Sequence, residues 1–154
     1  MRCVPAILTA LALTALVAGC GGEGGVEEGA TVTVYVDSGL CAGAKRALAE
    51  AGAEAGDLRV KAVCLAAAEP GESPLARIGA NARRATEDAT TVAVIEPADD
   101  PTISRFSHPI LDSASIPWVG TDSGAAAMRQ VLTAISESDS GSLRGSVADS
   151  LESE

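Results

Sequence analysis

The chain is 154 residues long and carries a formal net charge of −10, from 21 acidic and 11 basic side chains. That length allows one domain, and that charge argues against nucleic acid as a partner and against electrostatic binding to anionic lipid. Tyr35, Phe106 and Trp118 are the only aromatic residues of the Phe, Tyr and Trp class, so the core must be built from Ala, Val, Leu and Ile.

After Met1-Arg2, the stretch from Val4 to Gly19 is apolar and contains no charge. It is too short to span a bilayer as a permanent helix and has the build of a secretory signal peptide. It ends in Leu16-Val17-Ala18-Gly19-Cys20, and small residues directly before a cysteine resemble the lipobox of bacterial lipoproteins. The resemblance implies that residues 1–19 are a lipoprotein signal and that Cys20 is the lipid attachment site. The mature chain then sits on the outer face of the bacterial cytoplasmic membrane, held by its lipid. A plain secretory signal with an incidental cysteine is the alternative. Without residues 1–19 the chain has 135 residues and, with Arg2 gone, a charge of −11. Residues 20–30, with Gly21-Gly22-Glu23-Gly24-Gly25, read as a flexible tether.

Of the four cysteines, Cys3 leaves with the signal and Cys20 takes the lipid. Cys41 and Cys64 remain as an even pair in an oxidising compartment, and a disulfide is expected between them. There is no CxxC pair and one histidine, so neither a zinc site nor any other metal or cofactor is expected.

A single α/β lobe is expected over residues 31–136. Thr31–Val36 (TVTVYV) is β-branched and aromatic and reads as a buried strand. Asp37-Ser38-Gly39 is a turn. Ala44, Ala47, Leu48 and Ala51 recur at helical spacing, with Gly52 or Gly56 as the stop. Leu58–Leu65 alternates as a second strand. Pro70 and Gly71 mark a loop, and Leu75, Ile78, Ala82 and Ala85 mark a second helix. Thr90–Ile95 (TTVAVI) is a third strand, followed by the loop Glu96–Pro101. Ile103, Phe106, Ile110 and Leu111 give a helical face in which Pro109 predicts a kink or a restart. Ile116–Val119 reads as a short fourth strand. Ser123 is a candidate N-cap for a helix carrying Met128, Val131, Leu132 and Ile135. Residues 137–154 read as a polar acidic tail in which Leu143, Val147 and Leu151 allow one short helix. The alternation predicts a doubly wound, mostly parallel four-stranded sheet in the order 2-1-3-4, with helices on both faces.

Asn81–Asp88 (NARRATED), then Thr90–Pro97 (TTVAVIEP), then Ser104–Gly124 (SRFSHPILDSASIPWVGTDSG) are similar to the N-terminal lobe of type 1 periplasmic binding proteins. The nearest branch is the branched-chain amino acid substrate-binding lipoproteins of ABC transporters. The shared pieces are Val92-Ala93-Val94-Ile95, Pro109-Ile110-Leu111, and Ile116-Pro117 through Ser123-Gly124. The resemblance implies an extracytoplasmic lobe that binds an amino acid or a similar small polar ligand. Its partners would be a transporter subunit or a second copy completing the site. The chain departs from the family at Glu96, where a glycine usually follows the third strand, and at Asp99-Asp100-Pro101-Thr102, where a Ser/Gly-rich turn contacts ligand. It also has room for one lobe only.

Parallel α/β sheets bind ligands at the carboxyl ends of their strands. Asp37, Glu96, Asp99, Asp100 and Asp122 fall there and read as a solvated acidic rim. By position in the family, Thr102, Thr121 and Ser123 are the candidate ligand-binding hydroxyls. Helix capping by Ser38, Asp100 and Ser123 is the alternative use of this edge. His108 is expected on an exposed helix face and Trp118 in the core. Asp122-Ser123-Gly124 resembles the nucleophile turn of a serine protease, but Asp139-Ser140-Gly141 repeats it in a linker. No G-x-S-x-G, P-loop or G-x-G-x-x-G occurs, and a non-enzymatic role is expected. A second class of reading is a protein-interaction module that keeps the fold without ligand binding.

Overall fold

The computed structural model describes residues 27–138 and 143–152; Cys20 and the expected signal segment lie outside them. The elements run β1 (Thr31–Val36), α1 (Cys41–Glu50), β2 (Glu54–Ala55), β3 (Leu58–Cys64), α2 (Pro74–Glu87) and β4 (Thr91–Pro97). They continue with α3 (Pro101–Phe106), α4 (His108–Ser113), β5 (Trp118–Thr121), α5 (Gly124–Glu137) and α6 (Leu143–Glu152). The fold is α/β, with one five-stranded sheet ordered β2-β3-β1-β4-β5. β3, β1, β4 and β5 pair in parallel, and β2 pairs antiparallel with β3. The expected four-stranded sheet is therefore corrected to a mixed sheet of five. The longer strands keep the order 2-1-3-4. The added strand is two residues long. Gly52, Ala53 and Gly56, all at positive φ, fold the chain back so that Glu54–Ala55 meets Leu58–Arg59.

Both faces of the sheet are covered, as strands apolar on both sides require. Val32, Val34 and Val36 of β1 pack with α1, α5 and α6 on one face. Tyr35 packs with Val94, Ala82, Ala85 and Leu111 on the other, under α2 and α4. Helix boundaries follow local chemistry. Prolines occupy the first turns of α2, α3 and α4, where no backbone donor is needed. The break before Pro109 appears as a restart, with α3 ending at Phe106 and α4 beginning at His108.

With so few large side chains, helices must come close. A Cβ on Gly124, at the start of α5, would fall on the Leu40 carbonyl at the start of α1, and one on Gly43 would lie 3.3 Å from the Ala125 nitrogen. The two N-termini therefore pack backbone to backbone.

The stretch 143–152 is helical and joins the core through Leu143 and Val147. It lies where β5 is too short: β5 pairs with β4 only from Val94 onward. Below that point Arg144 donates from Nε to the Thr91 carbonyl (2.7 Å) and from Nη2 to the Ala89 carbonyl (3.1 Å). The guanidinium thus satisfies the Thr91 carbonyl, an acceptor that a longer β5 would have taken, and a second one in the turn before β4.

Cys41 and Cys64 form a disulfide with a Cα–Cα distance of 5.6 Å. It ties the first residue of α1 to the last of β3, at the carboxyl edge.

Gly124→Ala should destabilise the fold by about 1–3 kcal/mol, the cost of overpacking. Gly79→Ala, where the new methyl group meets only the Arg83 guanidinium at 3.5 Å, should stabilise α2 by about 0.5–1 kcal/mol. Chemical denaturation of the two variants measures the contrast, and equal effects would refute the close-packing account. Reducing the disulfide, which spans 23 residues, should lower stability by roughly 3 kcal/mol on the chain-entropy model. Urea midpoints with and without reductant check this.

Candidate functional site

β1 leads through α1 to β3 on one side, and β4 then returns on the other side of β1. The order of strands thus reverses between β1 and β4, which is where open α/β sheets leave a crevice at their carboxyl ends. Asp37 follows β1 there, and Asp99 and Asp100 follow β4. Asp37 Oδ1 accepts from the Gly39 amide (2.8 Å), closing the turn. Asp100 caps α3, its Oδ1 accepting from the Thr102 (2.8 Å) and Ile103 (3.3 Å) amides.

The three candidate hydroxyls are spread along this edge. Thr102 lies half-buried in the first turn of α3. Thr121 Oγ1 accepts from the Ser123 amide (3.0 Å) and lies 3.2 Å from the Ser123 carbonyl; Ser123 Oγ accepts from the Ala126 amide (3.3 Å). Thr121 and Ser123 thus turn the chain into α5. Of the expected caps, Asp100 and Ser123 are caps. Ser38 is not, because α1 begins later, with Leu40 as its N-cap and no side-chain cap bond.

The most unusual group at the edge is Glu96. It is not part of a solvated rim: its residue is 5% exposed. It lies two residues beyond Val94 on β4 and so on the same face, under α3 and α4. Ser107, 1% exposed at the α3–α4 break, donates from Oγ to Glu96 Oε1 (2.5 Å). Glu96 Oε2 makes no hydrogen bond and sits 3.3 Å from His108 Nε2. Burial pushes the Glu96 carboxyl up to about 7; the Ser107 bond opposes this, and the charges of Asp37 and Asp100 add to it. Burial holds His108 below its ordinary value, against the pull of Asp112. Near pH 7 the Glu96 carboxyl is thus about half protonated, and it faces an imidazole that burial disposes against taking a proton.

His108 and Trp118 also depart from expectation. His108 is not exposed: its side chain is 15% accessible, and its ring stacks on Trp118 with centroids 3.5 Å apart and planes 12° from parallel. Trp118 is not core: it is 38% exposed, and its Nε1 donates to Asp112 Oδ1 (3.3 Å). It leads the edge strand β5, whose odd-numbered residues turn their backbone groups to β4, as in the Val94 amide to Pro117 carbonyl and Ala98 amide to Thr121 carbonyl bonds. Trp118 and Gly120 therefore direct theirs to the open side. Beside them α4, β5 and α6 border an open groove of about 500 Å³, lined by Asp112, Ile116, Pro117, Trp118, Arg144 and Leu151 among others.

The side-chain order here is Ser–Glu–His, with the carboxyl in the middle. A nucleophilic triad needs the imidazole between hydroxyl and carboxylate, and an accessible hydroxyl. Buried Ser107 offers neither. Among the described residues no group of three or more His, Cys, Asp or Glu side chains is placed to hold a metal ion. Comparison with known proteins gives no match to a family model, to a curated protein or to a solved structure.

Burial of Glu96 makes stability depend on pH. The folded chain keeps this proton to about 7, whereas an ordinary carboxyl loses it near 4.5. Stability from this group therefore falls as pH rises through that window, by roughly 3 kcal/mol in all, and stays low above it. Glu96→Gln keeps the shape and removes the titration. The stability of the variant minus that of the wild type should grow across the same window, read from urea midpoints at successive pH values. A constant difference would show that Glu96 ionises as freely in the fold as outside it.

Proposed function

We propose that the chain is a lipid-anchored, non-catalytic interaction module that receives an extended segment of another protein along β5. The observation that carries this reading is Trp118: a large aromatic side chain, exposed on an edge strand whose outward backbone groups are open, beside an apolar-walled groove. Such an edge is a template for strand addition, with backbone pairing giving affinity and an adjoining groove giving specificity. The net charge of −10 favours a neutral or basic segment over a second copy of the chain. The lipobox-like Val17-Ala18-Gly19-Cys20 supports anchoring at Cys20. Among the described residues no helix is long and apolar enough to cross a membrane.

A second reading keeps the function implied by the periplasmic-binding resemblance, a small polar ligand such as an amino acid at the carboxyl edge. The crossover between β1 and β4 favours it. The hydroxyls of Thr121 and Ser123 favour it less, since the turn into α5 already engages them.

One experiment separates the two. Peptides selected from a displayed library, and a panel of free amino acids, are titrated into the full chain while backbone amide shifts are followed. Strand addition predicts shifts and exchange protection at Trp118 and Gly120. Gly120→Pro, which deletes an outward N–H, should weaken peptide binding by about tenfold or more. Amino-acid shifts confined to the Asp37, Asp99 and Thr121 loops, with the β5 amides unmoved, would overturn the docking reading.

A further inference from the structure

We infer that Glu96 is a proton-operated latch: protonated, it holds the His108–Trp118 stack against the sheet, and ionised, it releases Trp118 into the groove beside β5. The consequence for binding rests on the docking reading above; the latch itself does not.

The geometry joins the parts in a chain. Glu96 is fixed at one oxygen by Ser107, while its other oxygen faces His108 Nε2 without a hydrogen bond. The opposite face of the His108 contact is Trp118, stacked on the imidazole. On β5 the residue paired with Glu96 is Gly120, which has no side chain to fill the space. Trp118 leans over that gap: a Cβ on Gly120 would lie 3.9 Å from Trp118 Cζ3. The roof over Glu96 is thus two rings, and one of them borders the groove.

The groups that face Glu96 are Asp37 after β1, Asp100 at the start of α3 and His108 of α4; Asp112 faces His108 and bonds Trp118. No lysine or arginine among the described residues pairs with the carboxyl. When the proton leaves to solvent, the carboxylate keeps one donor, Ser107, and is repelled by the charges of Asp37 and Asp100. A buried charge so placed must find water. Parting the two rings, of which Trp118 is already exposed, gives it that access. Asp112 can still hold the indole N–H as the ring moves, so the roof opens without unfolding β5.

Trp118 is the single tryptophan, so its fluorescence reads the latch directly. The full chain is followed from about pH 5.5 to about pH 8.5 by emission maximum and acrylamide quenching. The expected result is a red shift and increased quenching as pH rises, with a midpoint near 7. Glu96→Gln should abolish the transition and keep the low-pH signal throughout. Ser107→Ala removes the donor that favours the carboxylate and should move the midpoint up. A flat wild-type profile, or a transition unchanged in Glu96→Gln, overturns the latch. If Glu96→Gln does not fold, an unmoved midpoint in Ser107→Ala overturns it equally. The readout needs no partner, so its failure leaves the β5 surface standing. Failure of the amide mapping at Trp118 and Gly120 would in turn leave the latch standing.

Discussion

The close approach of α1 and α5 sets the geometry of the molecule. A sheet flanked by helices normally gains its thickness from large side chains. Here the face under α1 and α5 is filled mostly by Val and Ala, with four Leu, two Ile, one Met and no aromatic residue, so the helices must sit low and near each other. Gly124 against the Leu40 carbonyl is the point of closest contact. It fixes where α5 starts, and α5 in turn carries the packing surface for α6. It also places the turn that precedes α5. The hydroxyls of Thr121 and Ser123 are used there to bring the chain from the edge strand to the glycine. A turn that must deliver the chain to so exact a position has little freedom left to adapt to a ligand.

The opposite face follows a different rule. It holds Tyr35, Val94, Leu111 and Ile116, but at the carboxyl end the apolar series is interrupted by Glu96. A buried carboxyl is expensive unless it is neutral or well bonded. Ser107 supplies one bond, and the fold meets the rest of the cost by keeping the proton. The same burial that suits the proton also brings the only histidine and the only tryptophan into stacking contact. Stability and responsiveness are therefore tied to one residue.

Much of this was legible in the sequence, and what was not has physical reasons. TVTVYV and TTVAVI announced β1 and β4 because β-branched runs with no turn residue leave few alternatives. Cys41 and Cys64 were readable as a pair because they are the two cysteines left once Cys3 and Cys20 are set aside with the expected signal and lipid site. β2 was not readable, since two residues carry no period and its pairing is created by the positive-φ turns around it. β5 lies two residues later than Ile116–Val119 suggested, because Pro117 offers no donor and the ladder with β4 starts at Trp118. Glu96 was misplaced by its charge alone. Its signal was present in the period: two residues after Val94, it had to face inward if the strand continued to Pro97. His108 was misplaced because the restart at Ser107 rotates α4 relative to α3, which no helical spacing drawn through Pro109 could anticipate.

The two edges of the sheet are treated unequally, and the inequality carries information. An open edge invites pairing, and proteins usually shorten it, charge it or cover it. At one end the sheet stops in β2, too short to template anything. At the other, α6 and Arg144 cover the lower part of β4, where β5 is missing. Alongside β5 itself α6 stands off across the groove, and the residue at that boundary is Trp118, the largest side chain available. A strand edge protected along half its length and then presented with a tryptophan is hard to explain as protection. The net negative charge of the chain also opposes pairing of β5 with its own copy, because each approach brings two strongly negative molecules together. The docking proposed for β5 therefore takes one orientation of approach, along the strand past Trp118, and a segment that does not share the sign of this chain.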